Sequence, residues 1–152
     1  MRAVAWYDKA GRATGLTPRP PGVSKAAMIN VLLVALGGAI GASLRHLVNV
    51  AGLKILGSGF PWATMAVNLI GSFAMGMFIE YLTRRIGAST ELRLFIATGL
   101  LGGFTTFSAF SLDFAALWQR GEMVTAFGYV LVSVVGALLA LFLGLWVVRV
   151  AT

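Results

Sequence analysis

The sequence predicts an all-α membrane protein of four transmembrane helices, the third broken in its middle, forming an antiparallel, dual-topology homodimer. Three observations lead there. Of 152 residues, 59% are hydrophobic and only 11% charged, with a mean hydropathy of +0.89, far below the charge content of a soluble domain. The apolar residues fall into four blocks rather than alternating with polar ones, each near the roughly 20 residues that cross a hydrocarbon core. Inside the third block, GLLGGFTTFSAFSLD over residues 99–113 carries paired glycines, paired threonines and two serines that a plain lipid-facing helix does not need.

Several function classes fall away at once. The formal charge of +7 does not point to nucleic acid, because the basic residues sit between apolar blocks and in the N-terminal tail rather than along one folded face. With no cysteine and one histidine, disulfides, thiolate metal sites, iron–sulfur clusters and multi-histidine sites are excluded.

Residues 1–27 hold Arg2, Lys9, Arg12, Arg19 and Lys25 against a single acid, Asp8, together with Pro18, Pro20 and Pro21. That composition predicts a solvated, disordered basic tail. The apolar run that follows is longer than a signal-peptide h-region and has no convincing small-residue cleavage site. Met28 offers an alternative start, so the transmembrane domain is placed at residues 28–152.

The first span is expected over residues 28–50, with Arg45 and His46 late in it and Gly37, Gly38 and Gly41 in its early half. The second covers 62–82 and closes on Arg84 and Arg85, the third covers 92–112, and the fourth 123–148. Small residues mark the expected helix contacts: Gly37 and Gly41, Ser72 and Gly76, and Gly128, Gly136, Ala140 and Gly144. Such spacing lets backbones approach where lipid removes any hydrophobic drive between helices. A nucleotide-binding use of residues 37–41 is weak, because no strand precedes them.

Charge leaves the insertion nearly undecided. Outside the tail, one face holds Arg84, Arg85, Arg93 and Arg149 and the other Arg45, Lys54 and Arg120, which is almost no positive-inside bias. Four helices are few with which to enclose a polar path, so an antiparallel pair of copies is the natural inference; a tail that counts would instead fix the N-terminus inside.

Uncharged polar residues recur inside the spans: Asn68 with Ser72 one turn on, Thr105, Thr106, Ser108 and Ser111, and Tyr129 with Ser133. Singly, each is as readily interhelical glue as a functional group. Jointly, beside a helix break, they predict a polar pathway. Glu80, Glu91, Asp113 and Glu122 are placed at span ends or in connections, which disfavours carboxylate-driven exchange. Donors without acidic rings, plus Arg45 near one span end, favour an anion. Phe107 and Phe110 lie three apart, and ring edges turned inward offer weak positive potential. A break at residues 102–105 frees backbone carbonyls that survive at membrane depth only against protein or a cavity, where two copies of the break would hold a cation.

These residues together resemble the CrcB family, also called Fluc, of small bacterial fluoride channels. The resemblance runs from about residue 28 to 149: GGAIGASLRH in the first span, TMAVN and IGSF in the second, TGLLGGFTTFSAFS in the third and GYVLVS in the fourth. It implies an antiparallel dimer with two fluoride pores and a central sodium ion, in a multi-pass protein of the bacterial inner membrane that is not an enzyme. By motif, Phe107 and Phe110 are the implied pore phenylalanines and Asn68 the pore asparagine. Ser108, Ser111, Tyr129 and Ser133 are implied polar groups along the path, and Arg45 lies near the vestibule. The implied sodium ligands are the main-chain carbonyls of Gly102 and Thr105. The basic tail and Ala63, where the family often has glycine, are departures from the pattern. The implied partners are fluoride, membrane lipid and a second copy of the chain, and the implied function is passive export of fluoride trapped in the cell. A small dual-topology multidrug exporter shares this size and span count but needs a carboxylate in its first span, where this chain has none. A purely structural membrane subunit is the third reading.

Overall fold

A computed structural model describes residues 24–84 and 89–152, so Arg85 and all but the last residues of the expected tail lie outside the described residues. Four helical spans, each long and apolar enough to cross a membrane, run over Lys25–Leu56, Trp62–Arg84, Thr90–Gln119 and Met123–Ala151.

The first helix, α1, is longer at both ends than expected, covering Lys25–Leu56. Its start is set by Ser24, whose hydroxyl accepts from the Ala27 N–H at 3.1 Å and so satisfies one of the unpaired donors of the first turn. Arg45 and His46 do not end it, because the helix continues past them for three more turns. Its stop is Gly57, with φ of +76°, a backbone angle that glycine adopts without steric cost, and an N–H that donates to the Leu53 carbonyl.

Helix α2 (Trp62–Arg84) packs extensively against α6 (Met123–Ala151). At their crossing a side chain at Gly76 would collide with the Leu141 carbonyl, and one at Gly144 with the Phe73 carbonyl. Close backbone approach of this kind is what holds apolar helices together in lipid. The rest of the expected small-residue face of α6 is used less: Gly136 makes ordinary contact with Leu69, and Gly128 faces open space. On α2, Gly71 rather than Ser72 takes the tight approach, against Thr105 and Phe104. Ala63 is accommodated by Gly52 of α1, whose missing Cβ leaves room for the Ala63 methyl.

The third span is built from several pieces. A short α3 (Thr90–Arg93), capped by Ser89, widens into a π-helical segment, Leu94–Leu101, followed by α4 (Gly102–Phe104) and α5 (Phe107–Gln119). The break is real, and it falls at the last of the expected residues 102–105 and the one after it. Gly102 and Gly103 are helical, while Thr105 (ψ 158°) and Thr106 (φ −153°, ψ 123°) are extended.

The glycines therefore serve another purpose. The π-helical segment and α4 run beside α1, where a Cβ on Gly41 would strike the Leu100 carbonyl, and one on Gly103 would lie 2.7 Å from the Gly38 carbonyl oxygen. Glycine gives contact here, and the threonines give the break. Thr105 ends the upstream turns by donating its hydroxyl to the Leu101 carbonyl at 3.0 Å. Thr106 opens α5 as its cap, accepting from the Ala109 N–H at 3.1 Å.

Candidate functional site

The break lies against α2 and α6 and leaves an open groove of about 380 Å³. Its walls come from Asn68 and Ser72 of α2, Thr105 to Phe107 and Phe110 of the third span, and Ser133 of α6, backed by aliphatic residues of α6. No lining residue is ionisable, and the hydrogen-bonding groups are an amide and hydroxyls.

Asn68 is the centre of this geometry. Its Nδ2 donates to the Thr106 carbonyl at 3.0 Å, and its Oδ1 accepts from the Thr106 N–H at 2.8 Å. The side chain thus supplies the backbone partners that the extended residue lost on leaving the helix. Since the Thr106 N–H is spent on Asn68, the Gly102 carbonyl has no donor from the fourth residue ahead. At membrane depth such a group must meet protein or a polar cavity.

Phe107 and Phe110 are in ring contact, centroids 5.4 Å apart, but differ in setting. Phe107 is 76% exposed on the described chain, whereas Phe110 is 7% exposed and lies 5.2 Å from the ring of Tyr129. Tyr129 is almost fully buried, and its hydroxyl donates to Asp113 Oδ2 at 3.2 Å. One turn further along α6, the buried Ser133 hydroxyl lines the groove.

Not every expected site residue converges on the groove. Ser108 bonds the Thr106 hydroxyl at 3.3 Å, and Ser111 bonds back to the Phe107 carbonyl at 2.9 Å, so both hydroxyls are used within the third span. Arg45 is not near a span end. It sits level with the break, where its guanidinium donates to the Thr105 carbonyl at 3.4 Å. The reason is the added length of α1, which carries the helix well beyond Arg45.

Asp113 needs the same correction, because α5 continues to Gln119 and places its carboxylate inside the helix beside Tyr129. Only the pairing with Tyr129 sixteen positions away makes it part of the neighbourhood, and local spacing carries no signal of that. Thr106, expected only as one of the polar residues of the pathway, is also the backbone partner of Asn68.

Among the described residues no group of three histidine, cysteine or acidic side chains converges. The donors that remain for a hard cation are backbone oxygens. The Gly102 carbonyl is released by the break, and the Thr105 carbonyl carries only one long bond from Arg45, leaving its second lone pair. Neutral oxygens are the ligand type that a hard cation takes; the Gly102 oxygen meets this freely, while the Thr105 oxygen is shared with the Arg45 guanidinium, whose charge opposes a cation there.

Comparison with known proteins gives the family. The family model described as "CrcB-like protein, Camphor Resistance (CrcB)" matches residues 32–145. A Mesorhizobium japonicum protein named fluoride-specific ion channel FluC is 63% identical over 122 residues, covering 80% of this chain and 98% of the relative. Proteins of the same name from Chelativorans sp. and Hyphomonas neptunium are 58% and 54% identical, covering 80% of this chain and 98% and 97% of themselves. By both measures, extent of the match and degree of identity, the chain belongs to the CrcB family.

Proposed function

We propose that this chain is a fluoride-specific channel, a multi-pass protein of the bacterial inner membrane that lets fluoride leave the cell passively. The single observation that carries the reading is the groove: neutral hydrogen-bonding groups and two phenylalanine rings around a helix break, with no ionisable lining residue. The relatives' shared name, fluoride-specific ion channel, gives the ion.

Fluoride is small and strongly hydrated, and an unpaired ion in a medium of low dielectric costs tens of kcal/mol by idealised Born arguments. A path must replace that water without trapping the ion. The Ser133 hydroxyl and the second N–H of the Asn68 amide supply donors, while Tyr129, whose proton goes to Asp113, backs Phe110 from behind the groove. The positive edges of Phe107 and Phe110 supply weak potential that attracts an anion and releases it. Ser108, Ser111 and Arg45 act from beside the groove: the serines steady the first turns of α5, and Arg45 adds positive charge at the level of the break.

The groove is open on the single chain, and in this reading a second copy in antiparallel orientation closes it. The carbonyls of Gly102 and Thr105 would hold a sodium ion at the centre of that dimer, where it supplies positive charge that ties the two breaks together. The exporter reading is disfavoured because α1 contains no acidic residue.

Efflux from liposomes tests the proposal. Vesicles containing the purified protein should release fluoride rapidly and chloride barely above the leak of empty vesicles. Equal release of both, or of neither, from an assembled protein contradicts it.

A further inference from the structure

Five aromatic rings form an unbroken chain from the start of α2 to the groove. Trp62 lies 4.5 Å from Phe60, and Phe60 stands edge-on to Tyr129 at 5.6 Å and 89°. Tyr129 then meets Phe110 at 5.2 Å, and Phe110 meets Phe107 at 5.4 Å. Edge-to-face and offset contacts at these distances prefer particular ring angles, so each ring limits the rotation of the next.

Tyr129 is held on three sides: by Phe110, by Asp113 at its hydroxyl, and by Phe60. Phe110 and Asp113 belong to α5, whereas Phe60 belongs to the connection between α1 and α2. A loop would be a poor support unless something fixed it. Arg120, at the end of α5, does so: its guanidinium donates to the Gly59 carbonyl at 2.7 Å and the Ser58 carbonyl at 3.4 Å. The same guanidinium is itself steadied by Glu122, its Nε lying 3.0 Å from the carboxylate.

Phe60 also borders a second cavity, of about 330 Å³, lined by Asp113 and Arg120 among others. Phe110 and Ser133 face the groove. Tyr129 is therefore packed between ring neighbours that belong to two different cavities. Removing the Phe60 ring leaves space on the side of Tyr129 away from the groove, into which a packed ring relaxes only partially.

We infer that Phe60 is a positioning residue for conduction: clasped by Arg120, the 57–61 connection presses Phe60 onto Tyr129 and so fixes the angle at which Phe110 presents its edge to the ion. The inference rests on the channel reading and extends it to residues outside the groove.

The test uses full-length protein in liposomes, comparing wild type with Phe60→Leu, Phe60→Tyr and Arg120→Gln. The readouts are the fluoride efflux rate, the fluoride-to-chloride ratio and the elution profile of the assembled protein. Phe60→Leu is expected to lower both rate and ratio, by up to about a hundredfold for a displacement of about 1 Å, while Phe60→Tyr retains the wild-type ratio. Arg120→Gln, which loosens the connection without touching the ring chain, lowers the ratio in the same direction. A selective wild type with an equally selective Phe60→Leu overturns the inference, as does equal loss in Phe60→Leu and Phe60→Tyr. If Phe60→Leu does not assemble, an unchanged ratio in Arg120→Gln overturns it. A wild type that releases no fluoride contradicts the channel reading instead, which keeps the two failures distinct.

Discussion

Asn68 and Thr106 are joined by two hydrogen bonds, amide nitrogen to carbonyl at 3.0 Å and N–H to amide oxygen at 2.8 Å, across 38 positions of sequence. The pair stands in for the helical bonds that the third span gives up at its break. It also makes Asn68 a splint as well as a lining residue, since one amide both braces the backbone and faces the groove.

Asn68→Ala is therefore expected to destabilise the folded protein by about 2–4 kcal/mol, the cost of leaving both backbone groups of Thr106 without partners. Asn68→Gln keeps both hydrogen-bonding groups on a longer arm, so it should fall between. Thermal unfolding in detergent gives the order. A fully stable Asn68→Ala would mean that the two bonds are not what holds the break.

The contact between α1 and the third span depends on Gly41, where a Cβ would meet the Leu100 carbonyl, whereas Gly128 faces open space. Gly41→Ala should cost about 1–3 kcal/mol, as overpacking does in other interiors. Gly128→Ala should leave the stability of the isolated chain unchanged. Parallel melting curves of the two variants decide the point.

Glu80 is a buried carboxylate that receives Nε of Arg84 at 2.9 Å and Nε of Arg149 at 3.1 Å, tying the last turn of α2 to the end of α6. Glu80→Gln leaves two cations with one neutral acceptor. Its melting temperature should drop, and adding Arg149→Ala should cost less in that background than in wild type. Strictly additive effects in this double-mutant cycle would show that the pair is not coupled.

A sodium ion held by the Gly102 and Thr105 carbonyls predicts that sodium raises the thermal stability of the assembled protein above that in potassium at equal ionic strength. A ligand that binds only the folded state stabilises it by RT ln(1 + L/Kd), where L is the free ligand concentration, a shift that keeps growing with that concentration. Identical melting in the two salts would remove the cation from the account.

The four spans are legible in the sequence because membrane burial writes itself as long apolar blocks; of the groove residues, Phe107 and Phe110 are marked by the break beside them, and Asn68 and Ser133 by being polar within apolar spans. Their depth was less legible. Arg45 reads as an interfacial charge, because a basic residue commonly marks the end of a span, yet α1 continues to Leu56 and brings it to the Thr105 carbonyl. Asp113 reads as a span end for the same reason, while its partner Tyr129 lies on another helix. The expected break at residues 102–105 is right at Thr105 and too early at Gly102 and Gly103, because glycine is the usual helix breaker. Here α1 approaches so closely that only glycine fits, and the extended backbone falls on the two threonines that follow.

The measurement that bears most directly on the central claim is fluoride efflux from liposomes carrying Phe107→Ile or Phe110→Ile, with wild type and chloride as references. Isoleucine keeps an apolar side chain but removes the ring edge. The account predicts that both variants assemble like wild type and lose most of their fluoride release. Wild-type fluoride rates in both would contradict it, because the rings would then be packing and the ion would pass elsewhere.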